Sequence, residues 1–240
     1  MYIFGRNPVK EAYRAGKTVD KLYLQKGEFD KTLNSVRSLA KEARTVVSYC
    51  DKAMLDKLSN GGNHQGVVAA VTDFDYCDLQ DIIDDANIKD EPLLIVLLDG
   101  ITDPHNLGAI IRSAECFGAH GIVIPKHRSV SVNDTVIKVA SGATEHIKVA
   151  KVTNLNDTIR ELKERNVWVY ATDFDGKAPN TVDLNGNIAI VIGSEGEGIH
   201  RLTKELCDDV LTIPQYGMVN SLNASVAAGV VLYEAVRQRK

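Results

Sequence analysis

A two-part α/β fold, with a mostly parallel sheet in its larger part, is predicted by three features of the 240-residue chain. From Pro92 onward, short apolar runs alternate with segments of helical spacing, the rhythm of strands joined by crossover helices. Those runs are apolar throughout rather than alternating, as strands buried on both faces are. Between residues 73 and 91 the rhythm breaks at "DFDYCDLQDIIDDANIKDE", which sets a first unit of roughly 75 residues apart from the rest.

In the first unit, Val19–Gln25 ("VDKLYLQ") alternates apolar and polar like a half-buried strand. Phe29–Ala43 places Leu33, Val36, Leu39 and Ala40 at helical spacing. "TVVSYC" reads as a strand, "DKAMLDKLS" as a short helix, and Gly66–Thr72 ("GVVAAVT") as a further strand. Residues 1–76 form this unit. Residues 77–91 are expected as an acidic linker, partly helical around Leu79–Ile83, and residues 92–240 as the second domain. There the buried strands are "LLIVLLD", "GIVIP", "HIKVAKV", "VWVYATD", "IAIVIGS" and "DVLTIP". The helices between and after them are "NLGAIIRSAECFG", "VIKVASGA", "LNDTIRELKERN", "HRLTKELC" and "SLNASVAAGVVLYEAVRQRK".

The net charge of −4 is unevenly spread. Residues 1–60 carry 12 Lys/Arg against 7 Asp/Glu, whereas residues 71–92 carry 8 acidic residues and Lys89 alone. A basic first unit is able to face an anionic partner, and a solvated lysine-rich surface explains the same charge equally well. No apolar run approaches the roughly 20 residues of a membrane-spanning helix. The first 17 residues lack an apolar core with a small-residue cleavage site, so no signal peptide is expected. Cys50, Cys77, Cys116 and Cys207 are widely spaced, which argues for free thiols in a reducing compartment and against a zinc site. The cytoplasm is the expected location, and no metal is expected.

In open parallel sheets, ligands sit beyond the carboxyl ends of the strands. Three such ends carry unusual loops. In Leu98–Gly118, Asp103 and Pro104 form an N-cap and first-turn pair, Asn106 lies in the first turn, and Arg112 lies further along the helix. In "VIGSEGEGI", Gly193, Gly196 and Gly198 reverse the glycine order of a dinucleotide fingerprint, and Glu195 and Glu197 would repel a pyrophosphate. A phosphate-free cofactor with a positive centre fits that loop better than NAD or ATP. In Ile213–Val236, Pro214 and Gly217 mark a loop, and Ser221 or Asn223 is able to cap the following helix. The small residues Ala224, Ser225, Ala227, Ala228 and Gly229 allow close approach of another backbone.

Together, "DPHNLGAIIRSAECFGAHGIVIP", "VIGSEGEGI" and "IPQYGMVNSLNASVAAG" closely resemble the three motifs of the SpoU/TrmH branch of the SPOUT RNA methyltransferases. "FGRNPVKEAYRAG" and "GGNHQGVVAAV" look like the small RNA-binding domain of the RlmB-type subgroup. The resemblance spans nearly the whole chain. It implies a 2′-O-ribose methyltransferase that uses S-adenosylmethionine (SAM) on structured RNA, at a guanosine of large-subunit (23S) ribosomal RNA. The implied fold is a SPOUT domain with a deep C-terminal trefoil knot, and the implied assembly is a homodimer. Its functional positions fall on Asn106, Arg112, Glu195, Ser221 and Asn223, and its cofactor positions on Thr172, Gly193, Gly198, Ile213 and Leu222. RNA contacts are expected from Arg6, Asn7, His64, Gln65 and Arg128. The same chemistry on transfer RNA is the nearest alternative, and a non-catalytic RNA-binding or ribosome-assembly factor is the other.

Overall fold

The computed structural model describes residues 1–27, 30–43, 45–72, 74–218 and 221–239. The helix start expected at Phe29, the break in rhythm at Asp73 and the helix end at Lys240 lie outside the described residues. The chain divides into two compact units, Met1–Asp75 and Tyr76–Lys240.

In the first unit, β1 (Tyr2–Phe4), β2 (Thr18–Gln25), β3 (Val46–Cys50) and β4 (Val67–Thr72) form one sheet in the order β1-β4-β2-β3. β4 runs antiparallel to both β1 and β2, whereas β2 and β3 are parallel. Helices α1 (Arg6–Arg14) and α2 (Lys31–Glu42) pack on each other, and α3 (Lys52–Leu58) closes the unit. The alternation read in β2 is borne out at Leu22 and Leu24, which bury against Val36 and Val67. Asp30 and Asp51 cap α2 and α3 by accepting backbone N–H bonds. The first strand and α1 were not expected. α1 starts at Gly5 with no side-chain cap, so no start signal precedes it.

The second unit holds a wholly parallel six-stranded sheet in the order β10-β8-β9-β5-β6-β7. Its strands are β5 (Leu94–Asp99), β6 (Gly121–Pro125), β7 (Lys148–Val152), β8 (Trp168–Lys177), β9 (Ile188–Gly193) and β10 (Asp209–Leu211). The helices are α4 (Leu79–Lys89), α5 (Pro104–Cys116), α6 (Asp134–Ala140), α7 (Leu155–Glu164), α8 (Arg201–Leu206) and α9 (Ala224–Arg239). β5 is buried at every position, as its unbroken apolar run requires. Among the described residues, no helix is long and apolar enough to cross a membrane.

The acidic segment 77–91 is not a free linker. Leu79, Ile82 and Ala86 of α4 enter the same core as Leu93, Ile95 and Val123. Asp78 and Asp81 form a reciprocal capping box, and the Cys77 N–H donates to the Val149 carbonyl at 3.0 Å. The acidic side chains occupy the solvent face of an amphipathic helix, so their number hid the apolar spacing beneath them. A Cβ at Gly121 would lie 2.5 Å from Ile82, which shows how closely α4 seats on β6. Ile82→Ala is expected to destabilise the second unit by about 2–5 kcal/mol, whereas Ala at the exposed Ile88 stays within about 0.5 kcal/mol. Denaturant unfolding followed through Trp168, the one tryptophan of the chain, reads that unit directly. Equal midpoints for the two variants would contradict this packing.

Candidate active site at the carboxyl ends of the central strands

β5 and β9 are neighbours in register, with Asp99 opposite Gly193, so their two following loops leave the sheet side by side. The loop after β9 turns back on itself. Ser194 and Gly198 exchange both backbone hydrogen bonds at 3.0 Å, and Gly198 adopts a φ of 66°. A Cβ at Gly193 would stand 2.3 Å from the Gly198 carbonyl carbon, so only glycine permits this approach. The loop's far end is tied to the sheet by Asp99. This buried carboxylate accepts from the His200 backbone N–H and pairs with His200 Nδ1, each at 2.8 Å.

Three segments then meet at one carboxylate. Glu195 Oε1 accepts from Asn106 Nδ2 at 2.9 Å and from Asn223 Nδ2. Asn223 Nδ2 also donates to Asn106 Oδ1 at 2.9 Å. Asn106 is buried in the first turn of α5, where Asp103 caps the helix and Pro104 starts it. Asn223 precedes α9, and its Oδ1 accepts from the Ser225 and Val226 backbone N–H groups. Glu195 Oε2 has no hydrogen bond among the described residues.

Beside this cluster lies a cavity of about 280 Å³. Thr172, Gly193, Gly198, Ile213 and Leu222 all line it, as do Glu195 and Ser221. Leu211, Ala224 and Ala227 complete an apolar wall, and Asp173, Glu195 and Glu197 supply three carboxylates with no basic side chain among the lining residues. The Thr172 hydroxyl is committed inward, donating to the Val191 carbonyl at 2.8 Å.

Arg112 is not drawn into the cluster. It lies on the exposed stripe of α5, six residues past Asn106 and so about 120° around the helix, with no ion pair among the described residues. Arg128 is exposed after β6, in a left-handed conformation with φ 58°. In the first unit, Arg6 donates to Gln65 twice, from its backbone N–H to Oε1 at 3.2 Å and from Nε to the carbonyl at 3.1 Å. Asn7 is exposed. His64 is buried. Its Nδ1 accepts from Gly66 at 3.0 Å, which leaves the proton on Nε2 to donate to Asp56 Oδ1 at 3.1 Å. The geometry therefore makes His64 a brace for the turn rather than an exposed contact.

Sequence reasoning missed Asp99, His200 and the Lys204 clamp. Lys204 Nζ holds Asp173 at 2.7 Å and Asp175 at 2.5 Å, fixing the end of β8 where it borders the cavity. Those hydrogen bonds push the Lys204 pKa up and the Asp175 pKa down. Asp99 left one signal, an acid closing an otherwise apolar strand. Its partner stands 101 residues away and left none.

A model of the SpoU rRNA methylase family matches residues 93–233, a span that includes all three converging segments. The chain belongs to that family. A second model, described as RNA 2′-O ribose methyltransferase substrate binding, matches residues 2–77. YacO of Bacillus subtilis, provisionally named a TrmH family tRNA/rRNA methyltransferase, is 44% identical over 99% of this chain and 96% of its own length. The crystal structure of the SpoU methyltransferase AviRb from Streptomyces viridochromogenes, in complex with the cofactor AdoMet, has 28% identity and a TM-score of 0.63. That match covers 100% of this chain and 90% of AviRb. An AdoMet-bound rRNA methyltransferase from Sinorhizobium meliloti has 25% identity and a TM-score of 0.60 over 98% of this chain and 86% of its own. In this SpoU/TrmH-family RNA methyltransferase the two models match the two parts of the chain, substrate binding at residues 2–77 and methylase at residues 93–233.

Gly193→Ala is expected to displace the loop and lower stability by about 1–3 kcal/mol, because backbone atoms cannot yield as a side chain would. Gly196, where an added methyl would meet nothing within 4 Å, tolerates the same change. Parallel denaturation of the two variants through Trp168 checks this, and an unaffected Gly193→Ala would refute the close approach.

Proposed function

We propose that this SpoU-family enzyme transfers a methyl group from SAM to the ribose 2′-hydroxyl of a guanosine in large-subunit ribosomal RNA. The observation that carries this reading is the cavity itself, in which every expected cofactor position meets Glu195. The residues present fit SAM. The apolar wall suits an adenosine, and Glu195 and Glu197, which have no ion pair among the described residues, suit a cation that carries no phosphate. Both AdoMet-bound relatives support the assignment. The substrate-binding description of the first unit supports the ribose target.

When bound, SAM supplies an electrophilic methyl group on a sulfonium. The chain's own residues must place the hydroxyl and take its proton. Glu195 is held from one side by two amides at Oε1, which leaves Oε2 to accept a hydrogen bond or proton from the hydroxyl. Asn106 and Asn223 act as positioning residues through Glu195. Ser221 borders the cavity and holds the target nucleotide. A guanidinium holds its proton too tightly to act as a base, so Arg112 instead clamps the phosphate beside the target ribose.

The enzyme works as a homodimer in the cytoplasm, where its four free cysteines stay reduced. Val226, Val230 and Tyr233 form an exposed row on α9, which packs against α5, the helix that bears Arg112. A second copy seated there brings Arg112 close to a subunit boundary. The trefoil knot belongs to the same proposal. β10 lies at one edge of the sheet, yet α9 returns to pack on α5 and β9 at its centre.

Arg112→Ala is expected to slow methyl transfer roughly 100- to 1,000-fold while SAM affinity, read by calorimetry, holds within about twofold. Turnover near the normal rate would remove Arg112 from the mechanism. Mapping 2′-O-methylation across ribosomal and transfer RNA, with and without the protein, identifies the target. A mark lost from transfer RNA alone would replace the ribosomal assignment, and absence of SAM binding would favour an assembly factor.

A further inference from the structure

The first unit contains a polar cavity of about 590 Å³, well inside the roughly 300–1,000 Å³ of small-ligand clefts. Three cations reach it from separate elements: Arg6 at the start of α1, Lys26 in the turn after β2, and Lys52 at the start of α3. Arg6 is paired with Asp30 at 2.6 Å, but Lys26 and Lys52 have no ion pair among the described residues. Asp56, the one carboxylate among the described lining residues, accepts from His64 Nε2. Lys26 and Lys52 add positive charge that no ion pair among the described residues offsets, and an anion relieves such a field.

The uncharged part of the lining has a different character. Gln25, Asn63 and Gln65 present amides, which read both donors and acceptors. Gln65 sits at φ 52°, a conformation that costs energy for a residue with a Cβ, and the two bonds from Arg6 hold it there. Strain kept in place by a clamp is a mark of ligand sites. His64 braces the same turn from beneath, through Gly66 and Asp56.

From this arrangement we infer that the cavity receives one unstacked nucleotide of the RNA, with its phosphate on Lys26 and Lys52 and its base edge on the Gln65 and Asn63 amides. A base inside a duplex is stacked and its pairing edge is occupied, so the ligand is a single-stranded or looped nucleotide. Arg6 and His64 are positioning residues that set the turn. The inference rests on reading the chain as an RNA-modifying enzyme, and it adds how the first unit selects a looped RNA.

The test uses the full chain and fluorescence anisotropy with two labelled probes, a mixed-sequence single-stranded RNA hexamer and a blunt RNA duplex of equal length. The hexamer is expected to bind more tightly than the duplex. Replacing both lysines (Lys26→Ala with Lys52→Ala) is expected to weaken the hexamer roughly tenfold and lower the salt slope by about two. Gln65→Ala is expected to change preference among homopolymer hexamers while leaving the salt slope alone. Guanosine monophosphate is expected to compete better than inorganic phosphate. Equal binding of duplex and hexamer, an unaffected double variant, or equal competition by phosphate alone would overturn the nucleotide site. SAM titration of the double variant separates the two readings. Weakened RNA binding with normal SAM binding supports this inference, whereas a wild-type chain that binds the hexamer but not SAM fails the methyl-transfer reading alone.

Discussion

A single carboxylate oxygen organises the second unit's functional end. Glu195 Oε1 accepts from Asn106 and Asn223, so segments following β5, β9 and β10 are tied at one atom. Two N–H donors on one oxygen make a charge-assisted junction, which is stronger and more directional than neutral amide pairs. Asn223 simultaneously caps α9 through Ser225 and Val226, so the junction also sets where the last helix begins. Removing the carboxylate would leave two amides and a helix end to find new partners together, not one contact missing.

The junction is possible only because the sheet brings distant parts of the chain together. β5 and β9 are adjacent across the centre of a parallel sheet, and parallel strands deliver all their loops to one end. Gly193 lets the β9 loop fold back onto Gly198, and Asp99 fastens its exit through His200. The loop is therefore fastened at its sheet ends, while Glu195, Gly196 and Glu197 are exposed at the tip. A loop anchored at both ends and open at its tip suits a site that must admit a ligand yet keep one side chain in position.

Much of this was legible from local pattern. The unbroken apolar runs marked β5 and β9, and Asp103 with Pro104 marked the start of α5. The candidate cofactor residues all reach the cavity, but the motif resemblance pointed to them, since periodicity carries no such information. Partners separated by 89 and 117 residues, as Asn106 is from Glu195 and Asn223, leave no local trace. α4 was obscured for a different reason: its acids are a solvent face, and only the Leu79, Ile82, Ala86 spacing betrays its buried side. β8 runs on past Asp173 to Lys177 through exposed residues, because its pairing with β10 rather than burial sustains it. His64 shows the limit most clearly, since a histidine between glycines reads as an exposed turn until Asp56 and Gly66 appear on its two nitrogens.

The two cavities have opposite electrostatic character, and that contrast restricts what each is able to hold. The one beside Glu195 is lined by Glu195 and Glu197 with no basic lining residue, so a phosphate entering there meets repulsion. The one in the first unit has Arg6, Lys26 and Lys52 around a carboxylate that His64 already occupies. An RNA strand is anionic along its whole backbone, so its phosphates are favoured at the cavity of the first unit and disfavoured beside Glu195. Only an uncharged part of the strand, a ribose or a base, approaches Glu195 without that penalty. On the proposed reading, charge separates gripping the nucleic acid from presenting its hydroxyl. On the proposed mechanism, the phosphate nearest the target ribose needs a cation that the cavity lining does not supply, the part proposed for the exposed guanidinium of Arg112.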